Sequence, residues 1–204
     1  MRSVILGLMM LLGALFAQAQ HSPETMASAF KTSIEHEANA EWSKAIDAMK
    51  AVYASEGYEV NLRLGWLYYQ QGTFSESMVY YQRACELMPL AIEARMGYVL
   101  PASALGNWKV VEAKYNEVLA IDANHAVVNY RMGMLHYGRE DYQGASKYFE
   151  NVVNHYPFDK DGLLMMGWTS YRLGKTREAQ VLFQKVLWID AENASAKEGL
   201  ALIR

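Results

Sequence analysis

Apolar positions along this chain recur at two spacings at once. Within short segments they fall three and four residues apart, as on one face of a helix. In Glu59 to Gln70 the recurring residues are Leu62, Gly65/Trp66 and Tyr69, and in Phe74 to Met88 they are Tyr80/Tyr81, Ala84 and Leu87. The segments themselves return with a period of 34 from about Tyr58 to Asn193. Tyr81, Tyr115, Phe149 and Phe183 keep that period, as do Phe74, Trp108, Tyr142 and Thr176. Gly65, Gly133 and Gly167 hold one small-residue column, and Gly72, Gly106 and Gly174 hold another. Pro89 and Pro157 stand two periods apart, with Ala123 and Ala191 at the same place in the other units.

Each unit therefore predicts two helices. Gly72-Thr73 breaks the first, Thr73 with Glu76 has the spacing of a capping box for the second, and Pro89 follows where a helix cannot continue. Helices this short are about 20 Å long and marginal alone, so they need regularly stacked neighbours to bury their apolar stripes.

Several of these residues resemble the tetratricopeptide-repeat family. Leu64-Gly65-Trp66-Leu67-Tyr68 matches its Leu-Gly-x-x-Tyr core, Ala145 with Phe149 and Ala179 with Phe183 match its Ala-x-x-x-Phe signature, and Pro89 and Pro157 match its terminal proline. The resemblance covers nearly all of the chain beyond the first twenty residues. It implies an all-α, right-handed α-α superhelical solenoid. Small residues at Gly65, Gly133, Gly167, Ala145 and Ala179 would let paired helices approach, and the large aromatics would fill the space between pairs. If Phe149 is buried, replacing it with Ala should cost about 3–5 kcal/mol.

The repeats read as about 26–57, 58–91, 92–125, 126–159 and 160–193, with 194–204 as a capping helix: five repeats plus a cap, eleven helices in a single solenoid over 20–204. The first is degenerate, since Trp42, Ala45 and Met49 precede Phe74, Ser77 and Tyr81 by 32 residues, which suggests a shortened turn. Ser22-Pro23 can cap its opening helix. The unit 92–125 matches least well, with Val99 in place of the glycine. The family's early Trp is replaced throughout, by Asn61, Arg95, Asn129 and Leu163.

In this family the first helix of each pair lines a concave face. Carried onto this sequence, the inward places are Arg63, Gly97, Arg131, Met165; Trp66, Leu100, Met134, Trp168; Tyr69, Ser103, Tyr137, Tyr171; and Gln70, Ala104, Gly138, Arg172, flanked by Leu62, Met96, Tyr130 and Leu164. No Lys stands in these columns, so a clamp for a terminal carboxylate is not implied. Arg63, Trp66, Tyr69, Tyr130, Arg131, Met134, Tyr137, Trp168, Tyr171 and Arg172 are the candidate partner-binding residues. Rigid aromatics, Met and Arg are enriched at protein interfaces. The expected ligand is a polypeptide segment with apolar anchors and some acidic residues; packing of the same side chains against one another is the competing reading. Pro101 falls inside a predicted helix, opposite the carbonyl of Gly97. With Gly97, Ser103 and Ala104 small, a kink there would widen the groove into a pocket between Trp66 and Trp168.

The first residues change the picture of where the protein works. Arg2, the apolar run Val4 to Phe16 and Ala17-Gln18-Ala19 have the three-part layout of a cleaved secretory signal over 1–19. The run of 13 is short of the roughly 20 residues that span a membrane. The expected destination is the periplasm or the exterior, with no membrane span after cleavage. Cys85 is the single cysteine, so no internal disulfide can form, and it occupies a column otherwise filled by Leu119, Val153 and Leu187. A net charge of −3, with no two basic residues adjacent, argues against nucleic acid.

The sequence carries no catalytic signature. His21, His36, His125, His136 and His155 lack metal-ligand spacing, and there is no phosphate loop or nucleophile elbow. His136 and His155 share columns with mostly apolar residues, and Glu41, Asp47 and Glu178 read as a solvated face. No cofactor or metal is expected. The function expected is a non-catalytic protein-interaction module, an exported adaptor or scaffold. The alternative is a self-associating structural spacer in a cell-envelope assembly, a homo-oligomer.

Overall fold

The computed structural model describes residues 21–203, all of its regular structure helical. The expected signal, 1–19, lies outside them. The helices are α1 (Pro23–Ala38), α2 (Trp42–Lys50), α3 (Tyr58–Gln71), α4 (Phe74–Leu87), α5 (Ile92–Ala104), α6 (Trp108–Ile121), α7 (Ala126–Gly138), α8 (Tyr142–His155), α9 (Lys160–Arg172), α10 (Thr176–Ile189) and α11 (Ala194–Leu202). First helices begin at 58, 92, 126, 160 and 194, and second helices at 74, 108, 142 and 176, which is the 34-residue period carried into three dimensions. None of the described helices is long and apolar enough to cross a membrane.

The chain forms two compact units, one ending at Leu105 and the other beginning at Gly106. In the first, α1 pairs with α2, α3 with α4, and α5 packs on α3 and α4. In the second, α7 pairs with α8 and α9 with α10, α6 packs on α7, and α11 lies on α9 and α10. The boundary falls inside the repeat 92–125 that departs most from the family pattern.

Close helix approach explains the glycine columns. A Cβ on Gly65 would sit 2.8 Å from the Tyr81 ring, one on Gly133 2.6 Å from Phe149, and one on Gly167 2.8 Å from Phe183. Gly97 and Gly199, from the next first helix along, would meet Tyr81 and Phe183 at 2.2 and 2.3 Å. Tyr81 and Phe183 are thus each held between two glycines. Tyr81, Phe149 and Phe183 are buried accordingly, and so is Cys85.

The turns between paired helices depend on a left-handed residue. Gly72, Gly106 and Gly174 adopt φ of 87°, 68° and 75°. Ala40 and Glu140 occupy the same place with φ of 55° and 61° despite their Cβ atoms. At both, a histidine bonds a carboxylate across the turn: His36 to Glu41 at 2.6 Å and His136 to Asp141 at 2.7 Å. The Asp141 carboxyl is held below its ordinary range, first by the Gly144 amide and then by His136. Left-handed backbone with a side chain is strained, so Glu140→Gly should stabilise the protein by about 0.5–1 kcal/mol. A higher urea midpoint with an unchanged transition slope would show it.

Capping follows the sequence at some ends and departs at others. Ser22 caps α1, its hydroxyl accepting from the Thr25 amide at 3.2 Å with Pro23 at the first helical position. Asp141, Asp159 and Asn193 cap α8, α9 and α11 in the same way. The capping box at Thr73 does not form. The Thr73 amide and hydroxyl both donate to the Tyr68 carbonyl, at 3.0 and 3.1 Å, because the two-residue turn needs them to close α3. Nor is the first repeat's turn short. Residues 39–41 make a turn as long as 139–141. It is α2 that is truncated, at nine residues against fourteen in α4, with a longer link over 51–57 in which Val52 is buried.

The replaced family tryptophans also have a reason. Asn61 and Asn129 are buried, and each donates from Nδ2 to the carbonyl four residues back, Gly57 at 2.7 Å and His125 at 3.2 Å. Arg95 does the same to Ala91 at 2.9 Å. Asn61 and Asn129 donate further, to Ser55 and Ala123. The side chains lash the link between hairpins to the helix that follows it.

Candidate functional site

Of the ten candidate residues, Arg63, Trp66 and Tyr69 belong to the first unit and the other seven to the second. In the first unit, Arg63 and Trp66 converge on one carboxylate from α1. The Glu37 side chain takes an ion pair from Arg63 at 2.5 Å and a hydrogen bond from the Trp66 indole N–H at 2.6 Å. The remaining Arg63 donors, Nε and Nη2, reach the buried Ser33 hydroxyl at 3.2 and 3.1 Å. The Arg63 side chain is only 15% exposed. Its charge is satisfied within the chain, which corrects the expectation that it would attract an acidic ligand. Tyr69 lies with its ring 6.0 Å from Trp66 and 5.8 Å from Phe74.

Beside Trp66 opens a cavity of about 610 Å³, walled by α1, α3, α4 and α5. Phe30, Leu62, Trp66, Tyr81, Met96 and Leu100 supply apolar surface, and Glu59 and Glu93 supply carboxylates. Burial, and then the Glu93 charge, push the Tyr81 phenol well above its ordinary range. This cavity is not the pocket expected between Trp66 and Trp168 from a kink at Pro101. Helix α5 runs unbroken through the buried Pro101. Gly97 is small because the Tyr81 ring occupies the place of its side chain, not because the groove is widened there.

In the second unit the aromatics are half-buried and rest on the core around Phe149 and Phe183. Tyr130 meets Phe149 edge-on at 5.8 Å, and Trp168 meets Phe183 and Tyr171 at 5.1 and 5.9 Å. The Trp168 indole donates to the Ser195 hydroxyl at 2.8 Å. Tyr137 lies edge-on to Tyr142 at 5.2 Å, and the Arg172 guanidinium stands over the Tyr142 ring at 5.2 Å. Burial pushes the Tyr130 and Tyr137 phenols up. Arg131, Met134 and Arg172 are exposed, and neither arginine pairs with a carboxylate among the described residues. Packing and exposure therefore divide the set: the aromatics brace the core, Arg131 and Met134 face solvent, and Arg172 is exposed while resting on Tyr142.

Elsewhere the chemistry is structural. No group of three His, Cys, Asp or Glu among the described residues is placed to hold a metal. His136 lies tilted against Tyr148 with ring centres 5.2 Å apart, and exposed His155 bonds the Asn151 carbonyl. Glu178 accepts from Ser170 and Glu41 from Lys44, so these carboxylates brace turns as well as facing solvent. Sequence reasoning missed Glu37 and Ser33. Their partners lie 26 to 30 residues on, across the boundary of a first repeat that is two residues short of the 34-residue register.

Family profiles for the tetratricopeptide repeat match residues 30–92, 128–159 and 161–191. The chain belongs to the tetratricopeptide-repeat family. Solved structures agree on the fold. The crystal structure of MamA protein superposes with a TM-score of 0.69 at 18% identity, over 85% of this chain and 96% of that one. A tetratricopeptide repeat protein from Parabacteroides merdae gives 0.73 at 17%, over 88% and 72%. YrrB, described as a tetratricopeptide-repeat protein with an unusual peptide-binding site, gives 0.65 at 13%, over 83% and 89%. No curated protein matches. Repeats of this family are protein–protein interaction modules, and this chain is one of them.

Proposed function

We propose that this tetratricopeptide-repeat protein is an exported, non-catalytic adaptor or scaffold that holds a partner polypeptide on the exposed positions of its first helices. The observation that carries this reading is that Arg131 and Arg172 are exposed without carboxylate partners among the described residues, with exposed Met134 one turn from Arg131 on α7. An interface of this composition combines an adaptable apolar contact with charges that select the partner. YrrB, of the same fold, is described with a peptide-binding site, which is consistent with such a use. Residues 1–19 would direct export, leaving a chain that begins near Gln20.

The test is site-specific photocrosslinking in the native cell. A photoreactive residue at Met134 should give a discrete adduct with another protein, absent when the same group is placed at exposed Val181 on α10. Adducts between copies of this chain alone would instead favour the spacer reading, in which the repeats self-associate within an envelope assembly. No discrete adduct from Met134 would reject both. The amino-terminal residue of the protein recovered from those cells checks the export step.

A further inference from the structure

The cavity beside Trp66 has the opposite charge from the surface at Arg131 and Arg172. Its one basic group, Arg63, is neutralised by Glu37 and satisfied by Ser33. Its two carboxylates are not. Glu59 and Glu93 are exposed, and neither makes a hydrogen bond or ion pair among the described residues. They stand one period apart, in the first turns of α3 and α5. An acidic residue there can complement the helix dipole, and α9 has Asp161 at the same place, yet α7 has Val127, so the repeat folds without one.

The rest of the wall is apolar and aromatic. Trp66 and Phe30, both only partly buried, offer flat surfaces on which a cation or its aliphatic stem can lie. The volume of about 610 Å³ falls within the roughly 300–1,000 Å³ usual for ligand pockets. We infer that this cavity takes a segment of partner polypeptide presenting an arginine or lysine beside an apolar side chain. The basic group would lie between Glu59 and Glu93 and the apolar neighbour against Trp66, Leu62 and Met96. This deepens the peptide-binding reading above and rests on it. It reverses, for the first unit, the acidic ligand expected from Arg63.

Two dansylated peptides test it against the whole protein, each of four Ala-Leu-X triplets with X either Arg or Gln. Fluorescence anisotropy should show the Arg peptide binding about tenfold more tightly than the Gln peptide, a gap expected to shrink in high salt. The double variant Glu59→Gln/Glu93→Gln should bring the two within about twofold, chiefly by weakening the Arg peptide. Both positions are exposed, so an unchanged helical circular dichroism spectrum is expected and controls for folding. If both peptides bind equally, or the Arg advantage survives in the double variant, the charge assignment falls and the peptide-binding reading stands. If neither peptide binds at millimolar concentration, the cavity assignment falls, while the reading of the surface at Met134 is decided by its crosslinking.

Discussion

Phe149→Ala is expected to destabilise the protein by about 3–5 kcal/mol, the largest loss from any single side chain considered. Phe149 is fully buried, its ring lies against Gly133, and Tyr130 meets it edge-on. The missing ring leaves a space that the neighbours cannot fill. Gly133 has no side chain to move into it, and Tyr130 is fixed on the core around Leu163 and Met166. In a repeat protein the loss should be local first, because each hairpin is held mainly by its neighbours. Urea denaturation should show the lower midpoint. Hydrogen exchange should show amides of α7 to α9 losing more protection than those of α1 to α4. A loss under about 1 kcal/mol would mean that the helices close over the gap, contrary to the close packing inferred from the glycine columns.

Much of this architecture could be read from periodicity because it depends on single residues repeated. Gly65, Gly133 and Gly167 are legible as close approaches since only a missing side chain lets Tyr81, Phe149 and Phe183 lie where they do. Positions that act through a partner were harder. Thr73 looked like a helix cap, but its donors are used by the turn behind it. Gly97 looked like widened space, but Tyr81 fills it. Asn61 and Asn129 looked like departures from the family, but they carry the carbonyls of the links. Arg63 looked like an open charge. Its carboxylate comes from α1, in a repeat offset by two residues from the 34-residue columns, where column-by-column comparison could not align the pair. The unit 92–125, weakest in sequence, is the one the family profiles leave almost wholly unmatched and the one that contains the boundary between the compact units.

Glu37→Ala should cost about 2–3 kcal/mol and alter what the cavity beside Trp66 recognises. Removing one member of a fully buried ion pair costs about 3–5 kcal/mol, and here the two side chains are 15% and 24% exposed, so part of that cost is recovered by water. The variant strands Arg63, which keeps only the Ser33 hydroxyl, and removes the acceptor of the Trp66 indole. Glu37→Gln separates the two effects. An amide oxygen can still accept from Trp66, so stability should fall less, while the Arg63 charge is left uncancelled in either case. With Arg63 uncancelled beside Glu59 and Glu93, the net charge of the cavity becomes less negative, and the advantage of the Arg-Leu peptide over its Gln counterpart should narrow in both variants. Urea midpoints check the stability and anisotropy the preference. If Glu37→Gln narrows that preference as much as Glu37→Ala while costing clearly less stability, the carboxylate sets the charge of the cavity separately from its share in holding α1 on α3. If both variants keep the full preference, Arg63 is too well shielded to matter to a ligand, and Glu37 is a packing residue alone.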